Sequence, residues 1–421
     1  MAGVLGGAVA GANRAAPPHV PCLVAFRINR TLFLVSLTSM LTDVSSEMVY
    51  PLMPIFVTEV LGASTGVLGI VEGVAESIAS FARIGGGAWS DRAGRRKPLA
   101  AAGYACSVAG KVLLAMASVW PVLLAGRAID RVGKGIRNPP RDALISECYP
   151  KGQLGRAFGV HRFMDTTGAA LGVLAAYFLF TGFTSDATHA QAAPFRSLFL
   201  WSIVPAALAL IAIGLVREAR GRATPKADRP RFRHVIREFQ GLPRELKAFL
   251  LITLVFTLGN SSKQFLLLRA RDLGLADSTV ILLYLVYNIV YAVASYPAGR
   301  LSDLIGRRHL LVAGYALFGL VYFAFAWIQT PTATWALFGI YGGYMALTEG
   351  VEKALVAQLA PAHRKATVLG LHATIVGAGL LPASIIAGQL WDRVGPHATF
   401  VVGGVTGLAA AVALWISLKG R

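Results

Sequence analysis

The sequence predicts an all-α integral membrane protein with twelve transmembrane helices in two pseudo-symmetric six-helix bundles. Three observations predict it. The 421 residues are 55% hydrophobic and only 14% charged, with a mean hydropathy of +0.60, whereas a soluble domain carries about 25% charged residues. The apolar residues come in runs of about 20, long enough for a helix to cross a bilayer, and do not alternate with polar ones as in half-buried strands. Three short patterns also recur in the same order along the chain, the mark of a duplicated unit.

In chain order the apolar runs cover residues 31–59, 66–88, 98–118, 119–140, 158–182, 197–216, 248–268, 278–298, 309–328, 333–351, 366–388 and 398–418. Residues 1–30, rich in small residues and prolines, are expected to form a cytoplasmic tail, with Arg27 and Arg30 holding the first helix end inside. Pro51 and Pro54 bend the first run by removing backbone donors. The fourth run contains Arg127, Asp130, Arg131, Lys134 and Arg137, and hydropathy alone would reject it. The repeat retains it, because it corresponds to the tenth run, GIYGGYMALTEG. Residues 217–247, rich in Arg and Pro, are too polar to span. They read as a basic cytoplasmic linker with a short amphipathic helix around Phe232–Phe239, between a first bundle at 31–216 and a second at 248–421.

The repeats fix the architecture. GAWSDRAGRR at Gly87–Arg96 is echoed by GRLSDLIGRR at Gly299–Arg308. RDALISECYP at Arg141–Pro150 is echoed by EKALVAQLAP at Glu352–Pro361, and FGVH at Phe158–His161 by LGLH at Leu369–His372. The net charge of +19 follows the same topology. Of the 40 Lys and Arg, only four (Arg196, Arg269, Arg271, Arg393) fall on the outer side when the N-terminus is placed inside. This is the positive-inside pattern of a membrane protein, not a basic face for nucleic acid, and no nucleic-acid partner is expected. Cys22, Cys106 and Cys148 have neither paired nor metal-ligand spacing, so no disulfide framework, metal site or cofactor is expected.

GGGAWSDRAGRRK at Gly85–Lys97 interrupts the apolar pattern between runs two and three. Gly85, Gly86 and Gly87 would let a neighbouring backbone approach, and Gly94 would allow the turn. Arg92, Arg95, Arg96 and Lys97 anchor that turn inside. Asp91, one carboxylate among cations, suits a facing helix N-terminus, whose dipole favours an anion. Twelve spans in two halves, a basic central loop and this G-x-x-x-D-R-x-G-R-R-K signature resemble the major facilitator superfamily. GRLSDLIGRRH between runs eight and nine fits the same family. The resemblance covers residue 31 to the end and implies two bundles opening alternately around a central cavity. It also implies that Asp91 and Arg95 form a latch holding the outward-open state, with Asp142 as a third member and Asp303 and Arg307 as counterparts in the second half.

A charge near the bilayer centre costs about 2.5–3.5 kcal/mol on insertion scales, so intramembrane ionisable groups are functional candidates. Asp43 and Glu47 lie one turn apart, as do Glu72 and Glu76, and as do His161 and Asp165. Glu72 is read as near the outer end, Lys111 as structurally partnered, and Arg137, Arg141 and Arg162 as snorkelling to the headgroups. Asp43, Glu47 and Asp165 are the candidates for the exchangeable proton. Arg131 and Gly135 fit the R-x-x-Q-G pattern that the resembled family associates with proton coupling in antiporters, with Lys134 where glutamine is usual. LGNSSKQF at Leu258–Phe265 answers TDVSSEMV at Thr42–Val49, which sets Lys263 opposite Glu47, and the two are expected to approach across the cavity. Tyr284, Tyr287, Asn288, Tyr291, Tyr341, Tyr344 and Glu349 are read as cavity lining.

The function expected is secondary active transport of a small polar or amphipathic solute, not enzymatic catalysis. Proton-coupled export by a monomer of the inner membrane, with both termini cytoplasmic, is placed first. The fifth run, MDTTGAALGVL, lacks the proline of the G-x-x-x-G-P-x-x-G-G pattern seen in drug–proton antiporters of the family, which weakens export. Proton-coupled uptake and lipid flipping are the alternatives. GASTG at Gly62–Gly66 matches a nucleophile-elbow pattern, but it joins two membrane helices and reads as a turn.

Overall fold

A computed structural model describes residues 28–93, 95–149, 153–185, 192–218, 241–361 and 365–417. The segment around Phe232–Phe239 and Gly94 lie outside the described residues, as do the side chains of Asp91 and Arg92. The described residues form twelve helical spans: α1 (Arg30–Val60), α2 (Thr65–Ala93), α3 (Lys97–Met116), α4 (Trp120–Glu147), α5 (Leu154–Ser185), α6 (Ala192–Gly214), α7 (Arg244–Asp272), α8 (Asp277–Ile305), α9 (Arg307–Trp327), α10 (Ala333–Leu359), α11 (Lys365–Arg393) and α12 (Pro396–Ser417). Their outer faces carry exposed Phe81, Phe178, Trp201, Val293, Trp327 and Ile416. Exposed apolar surface of this extent is what lipid, and not water, tolerates.

Nine of these helices are long and apolar enough to cross a membrane. The other three are α2, α4 and α10, which carry Glu72, Glu76, Arg127, Arg131, Glu349 and Glu352 among their charges. Two helices are not uniform. In α1 the α-helix ends at Val49, followed by a 3₁₀ turn at Tyr50–Leu52 containing Pro51 and a π turn at Phe56–Val60, where the prolines withhold donors. The run predicted at 248–268 is broken. One helix ends at Gly259 and the next begins at Gln264, leaving Asn260–Lys263 outside both.

The two halves share one packing plan. In the first, α1 packs on α5 and α6, α2 on α4, and α3 on α4 and α6. In the second, α7 packs on α11 and α12, α8 on α10, and α9 on α10 and α12. Adding six to each label converts one set into the other. The halves meet through α2 with α11 and α5 with α8, which the same rule exchanges.

Small residues allow the close approaches. A Cβ added at Gly110 on α3 would lie 2.7 Å from the Gly126 carbonyl oxygen on α4, and one at Gly73 on α2 would lie 2.9 Å from the Leu381 oxygen on α11. The reading of the Gly85–Gly87 run is corrected here. Only Gly86 is closely approached, by the Ile136 backbone at 2.8 Å, while Gly87 makes ordinary contact with Pro139 and Gly85 faces open space. A helix presents successive residues about 100° apart, so three consecutive glycines cannot face one neighbour.

Candidate functional site

Between the halves lies a cavity of about 470 Å³. The first half lines it with Glu47 and Tyr50 of α1, Glu76, Ser80 and Arg83 of α2, and Arg131 and Lys134 of α4. The second half contributes the α7 break (Asn260, Ser261, Ser262, Lys263), Tyr284 of α8, Tyr341, Tyr344, Glu349, Glu352 and Lys353 of α10, and His372 of α11. A second cavity of about 490 Å³ shares Glu349 and Lys353 with the first and runs to Asp303 and Arg307. The hollow thus leads from mid-span toward the end bearing the α2–α3 and α8–α9 turns, called here the basic end.

The opposite, far end is closed by contacts between halves. Asp392, at the end of α11, accepts from the Thr65 amide at 3.0 Å, from the Gly66 amide at 2.7 Å and from the Thr65 hydroxyl. It thereby caps the first turn of α2 from the other half, satisfying backbone donors that a helix start leaves unpaired. Beside it, Arg271 bridges Glu59 at 3.1 Å and Asp277 at 2.9 Å. Deeper, the Ser77 hydroxyl donates to the Gly377 carbonyl at 2.7 Å. GASTG is therefore the turn that delivers α2's N-terminus to this seal.

Ion pairs dominate the first half. Arg127 pairs with Glu72, with side-chain exposures of 4% and 0%, and Arg131 with Glu76 at 3.0 Å. Both pairs join α4 to α2. Glu72 is therefore not at a solvated outer end as expected; an arginine partner one helix away makes its complete burial tolerable. Arg137, expected to snorkel, is also buried. It bonds the Ser107 hydroxyl and lies over the Tyr104 ring at 4.9 Å, because α3 offers both a few residues away. Arg141 bonds Asp142 at 2.9 Å and Ser39 at 3.1 Å, whereas the Arg162 side chain stays 63% exposed. Lys111, buried on α3, faces the Ser46 hydroxyl at 3.5 Å and the Asp130 carboxylate.

Asp43 on α1 faces Asp165 on α5, with Lys134 and Glu47 as further charged neighbours. His161 is buried, and its Nδ1 lies 3.3 Å from the Ser36 hydroxyl. Neither Asp43, Asp165 nor His161 is in the wall of the central cavity; they form a polar layer behind Glu47.

In the second half, tyrosine hydroxyls and rings meet the charged groups of the cavity wall. Lys263 bonds the Tyr287 hydroxyl at 2.9 Å and sits 4.9 Å from that ring. The Tyr291 hydroxyl donates to Glu349 at 2.6 Å, and Lys353 lies 3.4 Å from the same residue. The Tyr315 hydroxyl donates to Glu352 at 3.0 Å, and His372 Nε2 lies 3.7 Å from its other oxygen. Tyr341 and Tyr344 line the cavity, but Tyr287 and Asn288 do not. Tyr287 stands behind Lys263, and Asn288 turns back to donate to the Tyr284 carbonyl at 3.0 Å. Glu47 and Lys263 share the cavity without forming an ion pair among the described residues, because each faces a tyrosine of α8.

Glu352, His372, Tyr50 and Ser261 were missed from the sequence, whereas Tyr284 lines the cavity as expected. For two of them a signal existed, since the repeats align Glu352 with Arg141 and His372 with His161. Asp303 and Arg307 pair with each other at 3.3 Å, and Arg307 also reaches the Ala354 carbonyl at 3.1 Å, all within the second half. Arg95 is exposed. Among the described residues no group of His, Cys, Asp or Glu gathers as it would around a metal ion.

A membrane-embedded transporter is the class this arrangement defines, with two related bundles, a charged hollow between them and one end shut. The Major Facilitator Superfamily model matches residues 35–268 and 249–421, and the chain belongs to that family. It is 38% identical to an uncharacterised MFS-type transporter of Methanocaldococcus jannaschii over 92% of this chain and 94% of that one. It is 25% identical to the multidrug resistance protein MdtH of Edwardsiella ictaluri over 76% and 77%. In fold it resembles a crystal structure of a variant of the nucleoside transporter NupG (TM-score 0.77, 12% identity, covering 93% of this chain and 100% of that one). It also resembles an inward-facing, unoccupied bacterial homologue of the human lysosomal transporter Spinster (TM-score 0.69, 17% identity, covering 92% and 94%). It is a transporter, not an enzyme.

Proposed function

We propose that this protein exports a small polar or amphipathic solute by alternating access, in exchange for protons. The observation that carries the reading is the central inter-half cavity, charged along its wall and sealed at the far end by Asp392 and Arg271. With the basic end cytoplasmic, as the distribution of Lys and Arg supports, this is an inward-open arrangement. The similarity to MdtH supports export over uptake. Residues 31–216 and 248–421 act as the two moving bodies, joined by the basic segment 217–247. Both termini lie in the cytoplasm, and the protein works as a monomer in the inner membrane.

Proton exchange is assigned to the first half. Asp43 stands beside Asp165 and Glu47, three carboxylates from two helices, with the Lys134 ammonium as a further neighbour; a proton shared among them is released when the ammonium approaches and taken up when it is engaged elsewhere. Arg131, locked to Glu76, keeps a permanent positive charge beside it. The latch residues Asp91, Arg92, Arg95, Gly94 and Asp142 act in the opposite, outward-open state. The test is a solute panel offered to everted vesicles with a pH-sensitive dye, followed by labelled-solute flux into liposomes under a pH step. Asp43→Asn should abolish pH-driven flux while leaving the protein folded; undiminished pH-driven flux in that variant overturns the coupling assignment.

A further inference from the structure

The donors and acceptors in the central cavity do not balance. Every cavity carboxylate has a donor: Glu76 has Arg131, Glu349 has Tyr291 and Lys353, Glu352 has Tyr315, and Glu47 faces the Tyr284 hydroxyl. Two ammonium groups have carboxylates as neighbours, Asp43 and Glu76 for Lys134 and Glu349 for Lys263, but none within ion-pair distance among the described residues. Lys134, on the wall from the first half, makes no ion pair or hydrogen bond among the described residues. Lys263, on the wall from the second half, bonds the Tyr287 hydroxyl and lies over its ring, and makes no ion pair among the described residues. An ammonium carries three donors and no acceptor, and a buried charge without a counter-charge is costly. Glu47 keeps one unmatched oxygen, but in the exchange reading that oxygen is a seat for a proton.

Lys263 stands where α7 breaks. The backbone at Asn260–Lys263 is outside both helical segments, and the nine-residue helix Gln264–Asp272 starts immediately after it. Ser261, in the same break and in the cavity wall, is only 5% exposed; its hydroxyl faces the Tyr322 hydroxyl, and neither has a well-formed hydrogen bond among the described residues. Interrupted membrane helices expose polar backbone only where it lines a binding cavity, and the N-terminal end of the second segment favours an anion. Tyr50, Tyr284, Tyr341 and Tyr344 supply flat apolar faces around this spot.

We infer that the transported solute is an organic anion with a planar body, its carboxylate held by Lys263 and the Ser261 hydroxyl and drawn from the opposite wall by Lys134. The inference rests on the transporter reading and supplies the charge class that the sequence left open. An anion engaging lysines from both halves also draws the halves together, and it competes with Asp43 and Glu76 for the Lys134 ammonium. Solute occupancy and proton occupancy are thereby coupled through one group.

The test uses the full-length protein in lipid nanodiscs with three isosteric probes: naphthoate, naphthamide and naphthylmethylamine. Naphthoate should raise the melting temperature saturably while the amide and the amine should not. Lys263→Gln should weaken its apparent affinity at least ~10-fold, the loss of a charge-assisted contact. Lys263→Arg should retain binding, and Ser261→Ala and Lys134→Gln should each weaken it less. If Lys263→Gln does not fold, the lysine-to-arginine, Ser261 and Lys134 variants still decide. Stabilisation by the amine in preference to naphthoate, equal naphthoate binding in Lys263→Gln, or saturable binding of none of the three overturns the inference. Spin labels at Ser118 and Gln329, on the far ends of opposite halves, separate this failure from that of the transporter reading. A far end that opens in response to the amine sinks only the anion assignment, whereas one that opens with no probe, and not in Asp392→Ala either, sinks alternating access itself.

Discussion

Helices α2 and α4 in the first half occupy the same place as α8 and α10 in the second, yet they are joined by different chemistry. Between α2 and α4 the contacts are Glu72–Arg127 and Glu76–Arg131. Between α8 and α10 they are Tyr287 against Tyr341, with ring centroids 5.5 Å apart, and the Tyr291–Glu349 hydrogen bond. The packing plan is therefore set by which faces are small and apolar, and tolerates either polar joint. The difference has a functional side. Paired buried charges hold the first half's ionised groups at fixed positions, whereas tyrosines leave Lys263 available to something else.

The comparison can be broken most severely at Glu72–Arg127. Arg127→Met leaves a fully buried carboxylate unpaired and should cost about 3–5 kcal/mol. Loss of folded protein in detergent, or a large drop in melting temperature, is the readout. Adding Glu72→Gln should restore most of it, since removing both charges removes the penalty. Next comes the far-end seal. Asp392→Ala deletes an acceptor of three bonds, all from the start of α2 in the other half, and should move the population toward an open far end by roughly 10-fold or more, at about 1.5–3 kcal/mol for a charge-assisted bond. Distances between labels at Ser118 and Gln329 measure this. A distribution identical to wild type would show that the cap contributes nothing.

Tyr315→Phe, the second half's counterpart of breaking an ion pair, removes one hydrogen bond to Glu352 and should cost about 1–2 kcal/mol, clearly less than Arg127→Met. Equal costs would erase the distinction between the halves. Exchanging Glu47 and Lys263 should not rescue either single variant's flux, because each residue is bound to a different tyrosine of α8. The smallest effect is expected at Asp303, whose side chain is 70% exposed opposite Arg307. Asp303→Asn should change stability by no more than about 0.5 kcal/mol, measured by thermal unfolding, and any larger effect must come from conformational switching.

Much of this was legible in the residues, for a local reason. A bilayer imposes length and hydropathy on each segment independently, so the apolar runs and the basic linker can be read one window at a time. The repeats GAWSDRAGRR and GRLSDLIGRR did the rest, even rescuing α4, which hydropathy rejects. What failed was anything requiring two helices at once. Glu72 looked peripheral because Arg127 is 55 positions away in sequence. Arg137 looked like a snorkelling residue because Ser107 and Tyr104 lie on α3. Lys263 looked like a mate for Glu47 because pseudo-symmetry predicts equivalent positions, not contacts.

The sequence by itself determined the solvent, the number of spans and their duplication, since these depend on composition and period along one chain. Only the tertiary structure decided which buried charges neutralise each other, which end is shut, and that α7 opens at Asn260–Lys263 to bare a lysine. Those outcomes depend on distances between side chains of different helices, and electrostatic interaction in a low-dielectric interior changes by several kcal/mol over a few ångströms.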